Sequence, residues 1–332
     1  MGVDNIRELL RADPVTATWL EHLEAAGAPE FAVELPSADE LPPILLELTV
    51  PHEEIDGLVV LLPSLKQSAG LWWLLERCAH VLVRDMGQIG RPQLFPTLPS
   101  EMGVMHRYFY IYVFLAVLPH VQAYHRARSI PDDIARRTLA DLGRHMAVYH
   151  RIHGEGGLGT AFWLMLHFRG GIYDMGRLQF ERATLGDTTG AALQAAGLPY
   201  GPGDLRLSVH VPAFSGPITL RACDMAFERA KPFFARYFPE ERYEIATCNS
   251  WLLDDQLAEY LPAGSNIMQF QRRFEFAVRR PEPDDAGIVR FVFGQNLGAL
   301  DELPGRSTLE RAIIGHLQAG RHWYGAAGWL RL

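Results

Sequence analysis

Near residue 150 the spacing of the apolar residues changes, and that change limits what this chain of 332 residues can fold into. Before it, apolar residues recur at helical intervals. Leu65, Leu71, Trp72, Leu75, Cys78, Ala79 and Leu82 mark a broad stripe that predicts a helix over 64–86. Residues 104–127 form a second, very apolar segment that Pro119 interrupts. Ser129, Pro131, Asp132 and Asp133 then read as a helix start, with a polar cap region, an early proline and acids in the first turn, and predict a helix over 131–152. Shorter helical turns fit residues 6–23, and 44–48 fits either a helix or a connecting strand. After the glycine-rich punctuation at 153–159, the pattern becomes strand-like. Residues 161–169 and 173–183 read as strands joined by a turn at Gly170 and Gly171. Residues 205–211 alternate cleanly, with Leu205, Leu207, Val209 and Val211 against Arg206, Ser208 and His210. A helix over 218–237 follows, then a strand at 243–248, a short helix at 254–261, strands at 267–278 and 288–293, and a capping helix at 307–324. The expected class is α/β (α+β): a mostly helical N-terminal domain, 1–145, followed by a mixed-sheet domain, 146–332.

Composition narrows the function classes. Hydrophobic residues make up 48% and charged residues 21%, which gives enough apolar surface for a core and too little charge for disorder. The formal net charge is -8 and the arginines lie scattered, so neither nucleic acid nor an anionic membrane is an expected partner. Cys78, Cys223 and Cys248 form no CxxC pair and no disulfide framework; free thiols fit a reducing compartment. The first residues carry acids and lack the apolar run of a secretory signal. The most apolar run, 108–118, is too short to span a bilayer. A cytoplasmic protein is expected. His145, His150 and His153 fall in one predicted helix, but no HExxH pattern or acidic ligand accompanies them, so no metal is expected.

Three stretches carry a resemblance. LHFRGGIYDMGRLQFERA (166–183), LSVHVPAFSGPITLRACDMAFERAKPFFARYFP (207–239) and ATCNSWLLDDQLAEYLPAGSNIMQFQRRFEF (246–276) resemble a group of actinobacterial acyltransferase domain-containing proteins. Those proteins pair a helical N-terminal region with a GNAT-like C-terminal domain. The resemblance covers most of the chain and is best over 145–295. It implies a GNAT-like acyltransferase domain and a co-substrate, acyl-CoA or acetyl-CoA, with a small molecule as acceptor.

What the resemblance implies for the site can be given residue by residue. The loop after the fourth GNAT strand binds the CoA pyrophosphate through backbone N–H groups at a helix N-terminus. Carried over, this places Val211, Ser215, Gly216, Ile218 and Thr219 at the cofactor. The loop departs from the family pattern Arg/Gln-x-x-Gly-x-Gly/Ala: the first position and the second glycine are missing, and Pro217 removes one donor. The fourth and fifth GNAT strands splay, and acyl-CoA lies between them. His210, late on the fourth-strand equivalent and on its polar face, is then the base for an attacking amine, with Glu181 as a carboxylate acting through water. Asn249 matches a family position that contacts CoA. Tyr260 stands as general acid for the leaving thiolate, although it comes later than the family spacing. Cys248 reads either as an acylated nucleophile or as a small buried thiol.

These residues imply an acyl-CoA-dependent N-acyltransferase in which a small-molecule amine attacks the thioester directly. Two other readings stay open: a GNAT-like fold with altered chemistry, such as a hydrolase or a biosynthetic enzyme that does not use CoA, and a non-catalytic ligand-binding module. Acceptor, acyl length and oligomeric state leave no mark in the sequence.

Overall fold

In the computed structural model all residues except 91 and 92 are described. The chain divides into two compact units, Met1–Tyr173 and Asp174–Leu332, where the sequence pattern set the division at 145/146.

The first unit is helical: α1 (Val3–Arg11), α2 (Pro14–Ala26), α3 (Leu41–Glu47), α4 (His52–Gln67), α5 (Ala69–Arg84), α6 (Met105–Ala127), α7 (Asp132–Leu139), α8 (Asp141–His153) and α9 (Ala161–Phe168). Helix α6 is its centre. Every residue from Phe109 to Leu118 is buried, the signature of a helix surrounded by others. It runs through Pro119 because Val121 and His125 are buried beyond it; this packing outweighs the backbone bond that proline removes, a cost of about 3 kcal/mol. The helix expected over 64–86 is instead two, α4 and α5, bent by 101°. Ser68 makes the joint and caps α5 by accepting the Leu71 N–H at 3.3 Å. The expected helix over 131–152 is likewise two, meeting at Ala140. Gly143 lets α8 lie against the backbone of Thr49 and Val50, where a Cβ would collide with both. Among the described residues no single helix is long and apolar enough to cross a membrane.

The segment 161–169, expected as a strand, is α9. A short, uniformly apolar run carries no period that separates the two states, and here Leu164, Met165 and Phe168 are all buried on a helix. The hairpin turn is also not at Gly170 and Gly171. It falls at 175–178, where the Met175 N–H donates to the Leu178 carbonyl at 3.0 Å and Asp174 Oδ1 accepts the Gly176 N–H at 2.9 Å.

The second unit is built on a six-stranded sheet with order β1-β2-β3-β4-β6-β5. The strands are β1 (Ile172–Asp174), β2 (Gln179–Thr184), β3 (Leu205–His210), β4 (Ile245–Ser250), β5 (Glu275–Pro283) and β6 (Tyr324–Arg331). The helices are α10 (Asp187–Ala195), α11 (Leu220–Tyr237), α12 (Asn266–Gln271), α13 (Asp285–Phe293) and α14 (Thr308–Gln318). β3 and β4 are parallel; β2 with β3, β4 with β6 and β5 with β6 are antiparallel. α11 covers one face: the Phe227 ring sits edge-on to Phe180 at 5.2 Å, and Cys223, Ala226, Ala230 and Phe234 are its buried stripe. Its late Pro232 does not break it.

Three expectations fail in this unit. Residues 267–278 divide into α12 and β5, because Ser265 caps a helix there by accepting the Met268 N–H. Residues 288–293 belong to α13, which Gly294 ends in the left-handed conformation at φ 68°. The expected helix over 307–324 is α14 alone. After it the chain enters β6, a strand rich in glycine and alanine that the pattern does not announce.

Candidate active site

Strands β3 and β4 pair at Leu207/Ala246, Ser208/Thr247 and Val209/Cys248. His210, Asn249 and Ser250 lie beyond the last pair. On its other side β4 keeps its ladder to β6 through Asn249/Ala327 and Ser250/Ala326. The parallel pair therefore stops at its C-terminal end while the sheet continues around it, which leaves a notch there.

The register decides which side chains share a face. Ser208 stands opposite Glu181 on β2 and Thr247 on β4. With an alternation of two, Glu181, Arg206, His210, Thr247 and Asn249 lie on one face, and Leu207, Val209 and Cys248 on the other. On the first face His210 Nε2 meets Glu181 Oε2 at 2.9 Å. The two are diagonal neighbours, since Gln179 is the residue directly opposite His210. Their side chains are 24% and 21% exposed, open enough to meet a ligand. Arg206 is committed to the sheet: Nε donates to the Thr184 carbonyl at 3.0 Å and Nη1 to Thr247 Oγ1.

The loop from β3 to α11 turns back on itself at Phe214 (φ 54°) and Gly216 (φ 76°). Ser215 Oγ donates to the Ala213 carbonyl at 3.2 Å, so it serves the turn. Ile218 is buried. Val211 follows β3 directly and is half-buried. Thr219 is the N-cap of α11, its Oγ1 accepting the Ala222 N–H at 3.2 Å. That leaves the first-turn N–H groups of Leu220 and Arg221, which a helix cannot pair internally, to face an anion. Sequence reasoning does not single out these donors, because they are set by backbone position and not by residue type.

Of the two readings of Cys248, its surroundings are those of the buried thiol. It lies on the α11 face and is 1% exposed. Burial pushes its thiol up to about 12, with Arg206 pulling back only in part. A nucleophile needs the thiolate, which this burial disfavours. Tyr260 is not joined to His210 or Glu181. It follows a short 3-10 turn, Asp255–Glu259, and its hydroxyl meets His316 Nδ1 at 2.9 Å and Arg321 Nη1 at 3.4 Å. His316 is fully buried on α14, its Nε2 3.1 Å from the His322 carbonyl. Asp254 caps that 3-10 turn by accepting the Gln256 N–H at 3.1 Å and also accepts the Tyr324 N–H at 2.7 Å, so it anchors the start of β6.

The histidines of α8 have other partners. His145 Nδ1 lies 2.8 Å from Thr160 Oγ1, and its Nε2 is 3.3 Å from Asp141. His150 lies 3.7 Å from Glu54. The His153 ring packs on Tyr149 with centroids 4.3 Å apart. Among the described residues no group of three or more metal-ligating side chains gathers.

The fold is that of known proteins. Residues 39–170 match the N-acyltransferase N-terminal domain, and residues 172–330 match the GNAT-like C-terminal domain. No curated protein matches the chain. Among solved structures, an acyltransferase in complex with decanoyl-CoA and teicoplanin is 40% identical, with a TM-score of 0.89 and full coverage of both chains. An acyltransferase in complex with CoA and 10C-teicoplanin is also 40% identical over both full chains, with a TM-score of 0.90. A mutant acyltransferase in complex with octanoyl-CoA gives the same identity, coverage and score of 0.90. The chain belongs to the N-acyltransferase family with a GNAT-like C-terminal domain, and it is an acyltransferase.

Proposed function

We propose that this acyltransferase moves a medium-length acyl group from a CoA thioester to an amine of a small-molecule acceptor of the teicoplanin class. The observation that carries the reading is the His210–Glu181 pair at the notch where β3 and β4 stop pairing. The related acyltransferases bound to decanoyl-CoA, octanoyl-CoA and teicoplanin support the donor and acceptor classes.

In this reading the donor lies along the notch, with its pyrophosphate against the loop 211–219 and the Leu220 and Arg221 N–H groups. The Asn249 amide, at the notch on the face of His210, contacts the donor's pantetheine arm. The acceptor's neutral amine attacks the thioester carbonyl carbon. A C–N bond forms, the C–S bond breaks, and CoA leaves as a thiolate that water protonates. The proton lost by nitrogen goes to the His210 imidazole. The hydrogen bond to Glu181 orients the ring and stabilises the imidazolium, a contribution of the general-base kind worth about 10²–10⁴ in rate. Most of the remaining acceleration comes from holding amine and thioester together.

The test is thiol release from decanoyl-CoA in the presence of a teicoplanin-type amine, followed by mass analysis of the acceptor. A decanoyl amide on the acceptor is the expected product. Thiol release without acceptor modification would point to hydrolysis, and no release with any amine would overturn the reading.

A further inference from the structure

Beside the first turn of α11 lies a cavity of about 500 Å³ lined by Leu220, Gly264, Gln269, Arg272 and Arg273. Two guanidinium groups line it, and they are held differently. Arg273 is part of the wall: Nη2 donates to the Leu220 carbonyl at 2.8 Å and Nη1 pairs with Asp224 Oδ1 at 2.6 Å. Its charge is balanced by Asp224, and its side chain is only 15% exposed. Arg272, the C-cap of α12, is exposed. Among the described residues its guanidinium makes no hydrogen bond or ion pair, so its charge at this concave wall is unanswered, while its backbone N–H closes α12 on the Met268 carbonyl at 3.2 Å. Gln269 spans the rim, its Nε2 donating to the Gly264 carbonyl at 2.6 Å.

Position gives this cation a specific meaning. Leu220 directly follows Thr219, the cap that closes the loop 211–219. A ligand whose diphosphate occupies that loop presents its adenosine end to the neighbouring surface. CoA carries one more charged group there, the 3′-phosphate of its ribose. A phosphomonoester is a dianion near neutrality and binds a guanidinium through two parallel N–H···O bonds. We propose that this cavity is the 3′-phosphate subsite of the acyl donor, with Arg272 as its cation and Arg273, locked by Asp224 and the Leu220 carbonyl, as the wall that shapes it. The proposal rests on the acyl-CoA reading given above.

The experiment compares two donors, decanoyl-CoA and decanoyl-dephospho-CoA, which share thioester and diphosphate and differ only in the 3′-phosphate. KM and kcat are measured for the native enzyme and for Arg272→Ala. The native enzyme is expected to show a KM roughly tenfold lower for decanoyl-CoA, the size of one exposed charge-assisted contact, with kcat the same for both. In Arg272→Ala the KM penalty on decanoyl-CoA should exceed the penalty on the dephospho donor by that same factor, and Arg272→Lys should restore part of it. Added salt should shrink the preference. A native enzyme that uses both donors with equal KM overturns the subsite and leaves the acyl-CoA reading standing. Equal penalties on both donors in Arg272→Ala do the same. A native enzyme that turns over neither donor overturns both.

Discussion

In the proposed mechanism His210 takes the proton of the amine, and Glu181 meets its ring at 2.9 Å. Removing the ring removes the proton acceptor: His210→Ala is expected to lower kcat by about 10²-fold with KM for the donor little changed. Glu181→Gln keeps a hydrogen-bond partner but loses the charge that stabilises the imidazolium. Its expected loss is smaller, roughly tenfold, again with KM for the donor little changed; a kcat equal to the native enzyme's in both variants would remove the pair from the chemistry. Cys248 gives the opposite expectation. Its thiol is buried and held protonated, so Cys248→Ala should retain activity and lose about 1 kcal/mol of stability from the small void. Cys248→Ser should be less stable than Cys248→Ala, since a hydroxyl there meets apolar surroundings. Loss of turnover in a folded Cys248→Ala enzyme would restore the nucleophile.

The element that most shapes the second unit is β6. It enters the sheet between β4 and β5 and pairs with β4 from Ile245/Arg331 to Ser250/Ala326. Gly328 stands where neighbours come close: a Cβ added there would lie 2.8 Å from Phe274 Cβ and 3.1 Å from Leu253 Cδ1. Gly328→Ala should therefore cost about 1–3 kcal/mol through displacement of strand or ring, read as a lower urea midpoint. Gly264 in the same unit, whose Cβ direction is open, should tolerate alanine far better, and equal costs at the two positions would refute the packing argument. β6 was not legible in the chain. Its small residues have weak strand propensity, and the two strands on either side make it one. α13 and α9 failed for a related reason: runs such as 161–168 and 288–293 are too short and too uniformly apolar to show a period. α11 and β3 were legible because a helical stripe and a clean alternation stand side by side.

At the scale of the whole molecule, acid stability should depend on a charge far from the notch in sequence. Asp141 is fully buried in the first unit. Burial pushes its carboxyl up, but His167 at 2.8 Å and the hydrogen bond from His145 outweigh it and hold the group well below the usual carboxylate range. Arg144 meets its other oxygen. A depressed folded pKa means stability that is fully present above the unfolded value, about 3.9, and is lost as pH falls from there toward the folded value. Urea midpoints of the native protein should thus decline below about pH 4. Asp141→Asn should be less stable at neutral pH by about 3 kcal/mol, with a shallower decline in acid. Parallel declines in the two proteins would show that Asp141 does not set the slope.

The sequence alone determined that the chain is helical first and sheet-built afterwards, that a helix follows an alternating strand, and that His210 lies on the polar face of that strand. These are local properties: period, cap and composition act within a few residues. The tertiary structure decided that His210 and Glu181 meet, that β3 and β4 part beyond Val209 and Cys248, that Cys248 points under α11, and that Arg272 stands beside the first turn of α11. Each of these depends on register or on contact between segments distant in the chain, and a one-residue shift in the pairing of a strand would move its side chains, such as His210, Glu181 or Cys248, to the other face.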